Sequence, residues 1–174
     1  EMCDSDWSSD VCSSDLLHAA DLIVRNSSAS AVVFKGVKKG ESPDMTTMWT
    51  LLGYPYTTVA CPVWVKGGDR LPEILTGSND GKAPLCNMAM ELKKQAYPIQ
   101  RGSGSKYLNI AALFNDQNTG ITQKIRPVEE KIIQTTEKKM HSWRRKGITR
   151  KGIEEHYQWL NNHLSMQYER LFGL

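Results

Sequence analysis

Cysteine and histidine are the side chains in this sequence best suited to nucleophilic or metal chemistry, and the chain contains four of each. Cys3 and Cys12 lie in an acidic, serine-rich N-terminal stretch, whereas Cys61 and Cys86 lie in apolar stretches. Two cysteines do not make a disulfide framework, and a free cysteine often packs as a small apolar residue. We therefore predict that Cys61 and Cys86 are packing residues.

The histidines indicate no metal site. None has the spacing of a zinc-binding HExxH pair, so surface or half-buried positions are expected for all four: His18, His141, His156 and His163. The sequence also lacks a GxSxG nucleophile elbow, a Walker loop and a GxGxxG fingerprint. The motifs therefore predict neither a metal ion nor a nucleotide cofactor.

A basic run at residues 143–146 (WRRK), with Arg150 and Lys151 close behind, has the composition of a phosphate-binding cluster. However, residues 126–174 hold ten bases and six acids, and bases near a helix C-terminus complement the helix dipole. A solvated helical face is the favoured interpretation. The alternative is a non-enzymatic module in which residues 121–172 dock an acidic protein or nucleic acid.

The first sixteen residues (EMCDSDWSSDVCSSDL) differ in composition from the rest of the chain. They carry five acids and no base, so the other 158 residues hold 22 bases against 14 acids. They lack the basic start and apolar stretch of a signal peptide. One back-translation of residues 6–16 resembles the end of a library adapter used in DNA sequencing. We expect residues 1–16 to be a non-natural segment and natural sequence to begin at about Leu17.

Short apolar segments and turn residues predict an α+β chain. Residues 22–24, 31–37 and 59–65 are typical of strands, with Pro62 placing the last at an edge or a bulge. In residues 43–52 the apolar side chains recur at helical spacing, which predicts a short amphipathic helix. The run at residues 107–114 has the length of a strand.

Helices are predicted elsewhere by their end signals. Pro84 begins one helix, and Pro98 lies beyond its last apolar residue, Ala96. Residues 121–174 should form an antiparallel helix pair, with a break at Gly147 and an N-cap at Thr149. Pro127 either starts or kinks the first of these helices. There is no run of eighteen apolar residues that would predict a membrane span.

Residues 29–65 (ASAVVFKGVKKGESPDMTTMWTLLGYPYTTVACPVWV) resemble the C-terminal half of bacterial linear-amide C–N hydrolases. These enzymes are relatives of penicillin acyltransferase and choloylglycine hydrolase in the N-terminal-nucleophile superfamily. Residues 121–132 (ITQKIRPVEEKI) and 168–174 (YERLFGL) are also similar to that group. The resemblance covers most of residues 20–174. It lies in the overall sequence pattern, because no short catalytic motif is present.

The resemblance implies a four-layer αββα sandwich, of which residues 17–120 would form the C-terminal part, with residues 121–174 packed on it as a helical hairpin. It also implies a cysteine nucleophile at the mature N-terminus, whose thiolate attacks a linear amide while the free α-amine acts as base. That cysteine would lie upstream of Leu17, so this chain alone is expected to be inactive.

Family members also use an arginine near the nucleophile. Arg25 is the candidate, because it is the only arginine in the early predicted strands; the alternative is an arginine at a strand end that makes a surface ion pair. The implied partners are a small-molecule amide substrate and further copies of the enzyme, without nucleic acid. No metal or organic cofactor is required.

Overall fold

The computed structural model describes residues 15–77, 81–99 and 101–174 and has the predicted α+β class. The strands are β1 (Leu16–His18), β2 (Ser30–Lys35), β3 (Thr47–Leu52), β4 (Cys61–Trp64) and β5 (Tyr107–Asn109). The helices are α1 (Pro84–Ala96), α2 (Ile110–Leu113), α3 (Ile121–Lys146) and α4 (Arg150–Phe172). Most of the proposed adapter segment, residues 1–14, lies outside the described residues, but Leu16 belongs to β1.

The described residues form two antiparallel sheets. β1 pairs with β5, and β2, β3 and β4 form a three-stranded sheet in that order. The central strand β3 corrects the helix predicted for residues 43–52, of which only a 3-10 turn at Pro43–Met45 is helical. Met45, Met48 and Trp49 have helical spacing, but the β-branched threonines between them favour extended backbone. Pairing on both sides with β2 and β4, which local spacing cannot reveal, decides the outcome.

The outer edge of β4 is closed by side chains. In an antiparallel pair, alternate residues direct their peptide groups to the neighbour and to the outside. The Ala60 N–H donates to Glu129 Oε1 at 2.8 Å and the Trp64 N–H donates to the Tyr157 hydroxyl at 3.1 Å. Pro62 lies between these positions and has no N–H to satisfy. The predicted edge position of Pro62 is therefore confirmed.

Other predictions for the elements were met to different degrees. The helix Pro84–Ala96 is confirmed at both ends. Residues 22–24 form no strand, and the run at residues 107–114 changes to a short helix after Asn109, whose side chain accepts a hydrogen bond from the Ala112 N–H. That local cap offers the backbone an alternative to a longer strand.

The predicted helix pair is present and its turn follows the predicted signals. α3 ends at Gly147, with φ of 84°, and the Thr149 side chain caps α4 by accepting from the Gly152 N–H. Pro127 lies within α3 and not at its start. Within the described residues, no helix is long and apolar enough to cross a membrane.

The helix pair contributes seven of the eighteen buried side chains of the main apolar cluster. One apolar cluster joins α1 and the end of β3 to residues of α3 and α4, including Ile125, Ile132, Leu160, Leu164 and Tyr168. A second cluster packs the sheet against the turn of the pair through Met45, Trp64, Met140, Trp143, Ile153 and Tyr157. Burial of these large side chains is the main stabilising contribution to the fold.

Candidate functional site

Cys61 is a packing residue of the main core, as the sequence predicts for it. Cys61 is fully buried in β4, and its thiol donates to the Val59 carbonyl at 3.8 Å. Burial raises the pKa of the Cys61 thiol, and the nearby Glu129 carboxylate raises it further. Cys86 is half-buried in the first turn of α1. Because both lie inside ordered elements, neither carries a free α-amine.

Arg25 lies in the turn that precedes β2. Its backbone N–H donates to Ser28 Oγ at 3.0 Å, and the Ser28 N–H donates back to the Arg25 carbonyl at 2.9 Å. The Arg25 side chain is exposed, and it has no hydrogen-bond or ion-pair partner within the part of the chain that the structure describes. The surface ion pair considered from the sequence is therefore absent there.

Asn26, next to Arg25, belongs to a cluster of polar groups that sequence reasoning missed. The Asn26 carboxamide donates to the Ser105 carbonyl at 2.8 Å, and its own carbonyl accepts from Lys93 Nζ. Lys93 Nζ lies 5.4 Å from the ring centroid of Tyr54 and 5.7 Å from that of Tyr97. The two phenol oxygens are 2.9 Å apart and share a hydrogen bond.

The close approach of α1 to the end of β3 assembles this cluster. Gly53 has φ of 93°, and a Cβ built on it would lie 2.6 Å from the Ala89 Cβ. Glycine is therefore required both for the turn and for the contact. Lys93 is one turn beyond Ala89, so the same contact brings its ammonium to Tyr54. The paired turn residues and aromatics of residues 53–56 (GYPY) were the only local signal for this arrangement.

Burial shifts the titration of these groups toward their neutral forms. It lowers the pKa of Lys93, and it raises the pKa of Tyr54 and Tyr97. The two phenols are buried and bond to each other, whereas the half-buried Lys93 ammonium is a partly desolvated donor of the kind that suits a carboxylate or a developing oxyanion. A desolvated cation with perturbed titration is a feature of many functional sites.

The basic run is partly neutralised by acids from the loops. Arg144 Nε lies 2.9 Å from Glu41 Oε1, and Arg150 forms an ion pair with Asp69. These pairs favour the interpretation of the run as a solvated face. Arg145 remains exposed.

The aromatic residues of the helix pair form a packed array that contains two histidines. The rings of His156 and Trp159 stack with centroids 5.3 Å apart, and those of Trp159 and His163 stack at 5.1 Å. His156 is only 1% exposed, which corrects the surface or half-buried position predicted for it, and its Nε2 lies 3.0 Å from Thr136 Oγ1. Burial, with Lys139 adding to it, lowers the pKa of His156 to about 4.

No group of histidine, cysteine or carboxylate side chains within the described residues is arranged to hold a metal ion. Comparisons with protein-family models, with curated proteins and with solved structures found no match to this chain.

Proposed function

We propose that this chain is the C-terminal part of an enzyme that hydrolyses, or transfers the acyl group of, a linear amide through an N-terminal cysteine. The proposal rests first on the similarity of residues 29–65 to such enzymes. In this function the chain contributes sheet and binding surface, and the nucleophile comes from sequence outside the described residues. The three-stranded sheet would be one portion of the αββα sandwich.

The observation that carries the proposal is the state of the two cysteines. A thiol nucleophile of this type needs a neighbouring free amine, whose unperturbed pKa near 8 suits a general base at neutral pH. Cys61 is buried and its pKa is raised, while Cys86 lies within a helix. Neither meets that requirement, which agrees with a nucleophile located elsewhere.

Arg25 and the Lys93 cluster are the proposed substrate-facing groups. Arg25, whose guanidinium is unpaired among the described residues, precedes Asn26, and the Asn26 carbonyl accepts a hydrogen bond from the Lys93 ammonium. In the proposed enzyme these cations would orient a polar or anionic part of the amide substrate. Chemistry of this type requires no metal or organic cofactor.

The test is reconstitution with the sequence encoded upstream of Leu17 in the natural gene. We expect the longer polypeptide to release amine from a panel of N-acyl p-nitroanilides after exposure of an N-terminal cysteine, and expect iodoacetamide to abolish turnover. Cys61→Ala and Cys86→Ala should retain turnover, whereas Arg25→Ala should raise KM or lower kcat, with Arg70→Ala as an exposed arginine control.

Two results would overturn the proposal. One is amide cleavage by the 174-residue chain alone. The other is loss of turnover in Cys61→Ala or Cys86→Ala while the circular dichroism spectrum of the variant remains that of the folded enzyme.

A further inference from the structure

The outer edge of β2 contrasts with the closed edge of β4. The Ala29 carbonyl accepts from the Gly53 N–H at 2.9 Å, which places this pair among the hydrogen-bonded pairs of the β2–β3 ladder. Since such pairs alternate along antiparallel strands, the residues that bond to β3 are Ala31, Val33 and Lys35. The peptide groups that point away from the sheet are those of Ser30, Val32 and Phe34.

These outward peptide groups have no hydrogen-bond partner among the residues that the structure describes. The side chains of the strand are also uncovered: Val32 is 46% exposed, Val33 is 58% exposed and Phe34 is 70% exposed. Val32 and Phe34 project from one face of the sheet, and Val33 projects from the other. An apolar edge strand with free donors and acceptors is a template for pairing with another strand.

We propose that the β2 edge binds an extended segment of another polypeptide as a fourth, antiparallel strand. Because apolar side chains are exposed on both faces, the bound segment should be a continuous run of apolar residues. Strand addition of this kind gains affinity from main-chain hydrogen bonds and specificity from side chains. Binding of a separate segment at this edge does not require the amide hydrolase proposed above, although in that enzyme a strand encoded upstream of Leu17 would compete for the same edge.

The positive charges near both ends of β2 indicate which kind of segment would bind to its edge. The segment that follows β2 is basic, with Lys38 and Lys39 both exposed, and the exposed Arg25 precedes β2. Two copies of β2 paired antiparallel would bring Lys38 and Lys39 of one copy toward Arg25 of the other, and like charges across strands are destabilising. An antiparallel partner places its N-terminal end beside Lys38 and Lys39. The favoured partner therefore carries carboxylates immediately before its apolar run.

The experiment uses the full chain, labelled with nitrogen-15, and two synthetic peptides, EETVVIVT and KKTVVIVT, that differ only in the charge of the first two residues. We expect EETVVIVT to bind about tenfold more tightly at low salt, from two favourable rather than two unfavourable charge contacts, and expect the difference to shrink at high salt. On binding, the amides of Val32 and Phe34 should gain protection from hydrogen exchange. The amides of Ala31 and Val33 should change little, because they already bond to β3.

Substitutions at Val32 separate edge pairing from apolar contact. Val32→Pro removes an outward N–H without removing a β2–β3 hydrogen bond, in the way that Pro62 does on β4, and should weaken binding more than about tenfold. Val32→Thr keeps the donor and the β-branched shape and should weaken binding less than about threefold. Val65→Thr, at an exposed valine outside the sheet, should have no effect.

Near-ultraviolet circular dichroism from the buried Trp64 cluster reports whether each variant is folded. If Val32→Pro unfolds, a form of EETVVIVT with alternate peptide nitrogens methylated repeats the test on the unchanged chain, and its binding should be lost. Equal affinity for both peptides, protection of Ala31 in place of Val32, or protection of Val32 that rises with chain concentration alone would overturn the proposal. The last result would identify a second copy as the partner.

Discussion

The hydrogen bond between Tyr157 and the edge of β4 gives a quantitative prediction for Tyr157→Phe. The substitution removes only the hydroxyl that accepts the Trp64 N–H at 3.1 Å. Both residues are buried, at 3% and 1% exposure, so water cannot readily replace the lost acceptor. The phenylalanine ring would keep the stacking contact with Trp64, whose centroid is 5.9 Å from that of Tyr157.

The expected cost is that of leaving one buried backbone donor unsatisfied, which is about 2 kcal/mol. For a urea m-value of about 2 kcal/mol/M, the midpoint of unfolding should fall by about 1 M. Tryptophan fluorescence measures the transition, since Trp64 and Trp143 lie beside the altered group. The matched control is Tyr107→Phe, at a 37% exposed tyrosine, which should change the free energy of unfolding by less than about 0.5 kcal/mol.

Equal effects of Tyr157→Phe and Tyr107→Phe would refute the argument. That result would mean that the Trp64 N–H finds another partner or that the edge of β4 opens at little cost. An unchanged midpoint with a smaller m-value would instead locate the effect in the unfolded or partly folded chain.

Three further predictions concern single residues. Burial lowers the pKa of His156 to about 4 in the folded state, from an unfolded value near 6.5, so neutral His156 contributes its full stabilisation above pH 6.5. Up to about 3 kcal/mol of the free energy of unfolding should be lost as the pH falls from 6.5 to about 4. His156→Gln should reduce this pH dependence of the free energy of unfolding, measured by urea titration. Gly53→Ala should destabilise by more than about 1 kcal/mol in the same titrations, since it forces a side chain into a positive φ and against Ala89. Iodoacetamide should label Cys86 faster than the buried Cys61 in the folded chain, and mass spectrometry showing the reverse order would contradict the placement of Cys61 in the core.

The sequence predicted correctly those helices whose ends are set by a proline, a glycine or an N-cap residue. Pro84 fixes the start of α1, and Gly147 with Thr149 fixes the turn between α3 and α4, because each acts through its own backbone conformation or cap. β3 was missed because its apolar spacing fits a helix. Its actual state depends on pairing with residues distant in the chain, such as Lys35 and Trp64, the two partners of Thr47, which lie 12 residues before it and 17 residues after it.

The candidate site was less accessible to sequence reasoning than the fold. Arg25 was selected by resemblance, and the structure adds that its guanidinium is unpaired among the described residues. Nothing in the sequence favoured the selection of Lys93, because it flanks the apolar stripe of α1, and a lysine in that position normally extends into solvent. Its perturbed environment arises only when Gly53 lets α1 approach Tyr54, a contact between segments about forty residues apart in the chain.

Closure of β4 limits how copies of this chain can assemble through the three-stranded sheet. A fibre needs two complementary surfaces on every unit, so that each copy can bind one neighbour at each end. With one side of the sheet sealed by Glu129, Pro62 and Tyr157, only a symmetric pairing of two β2 edges remains, and that pairing uses up the exposed surface of both copies. Assembly through this sheet would therefore stop at a dimer and could not continue into a fibre.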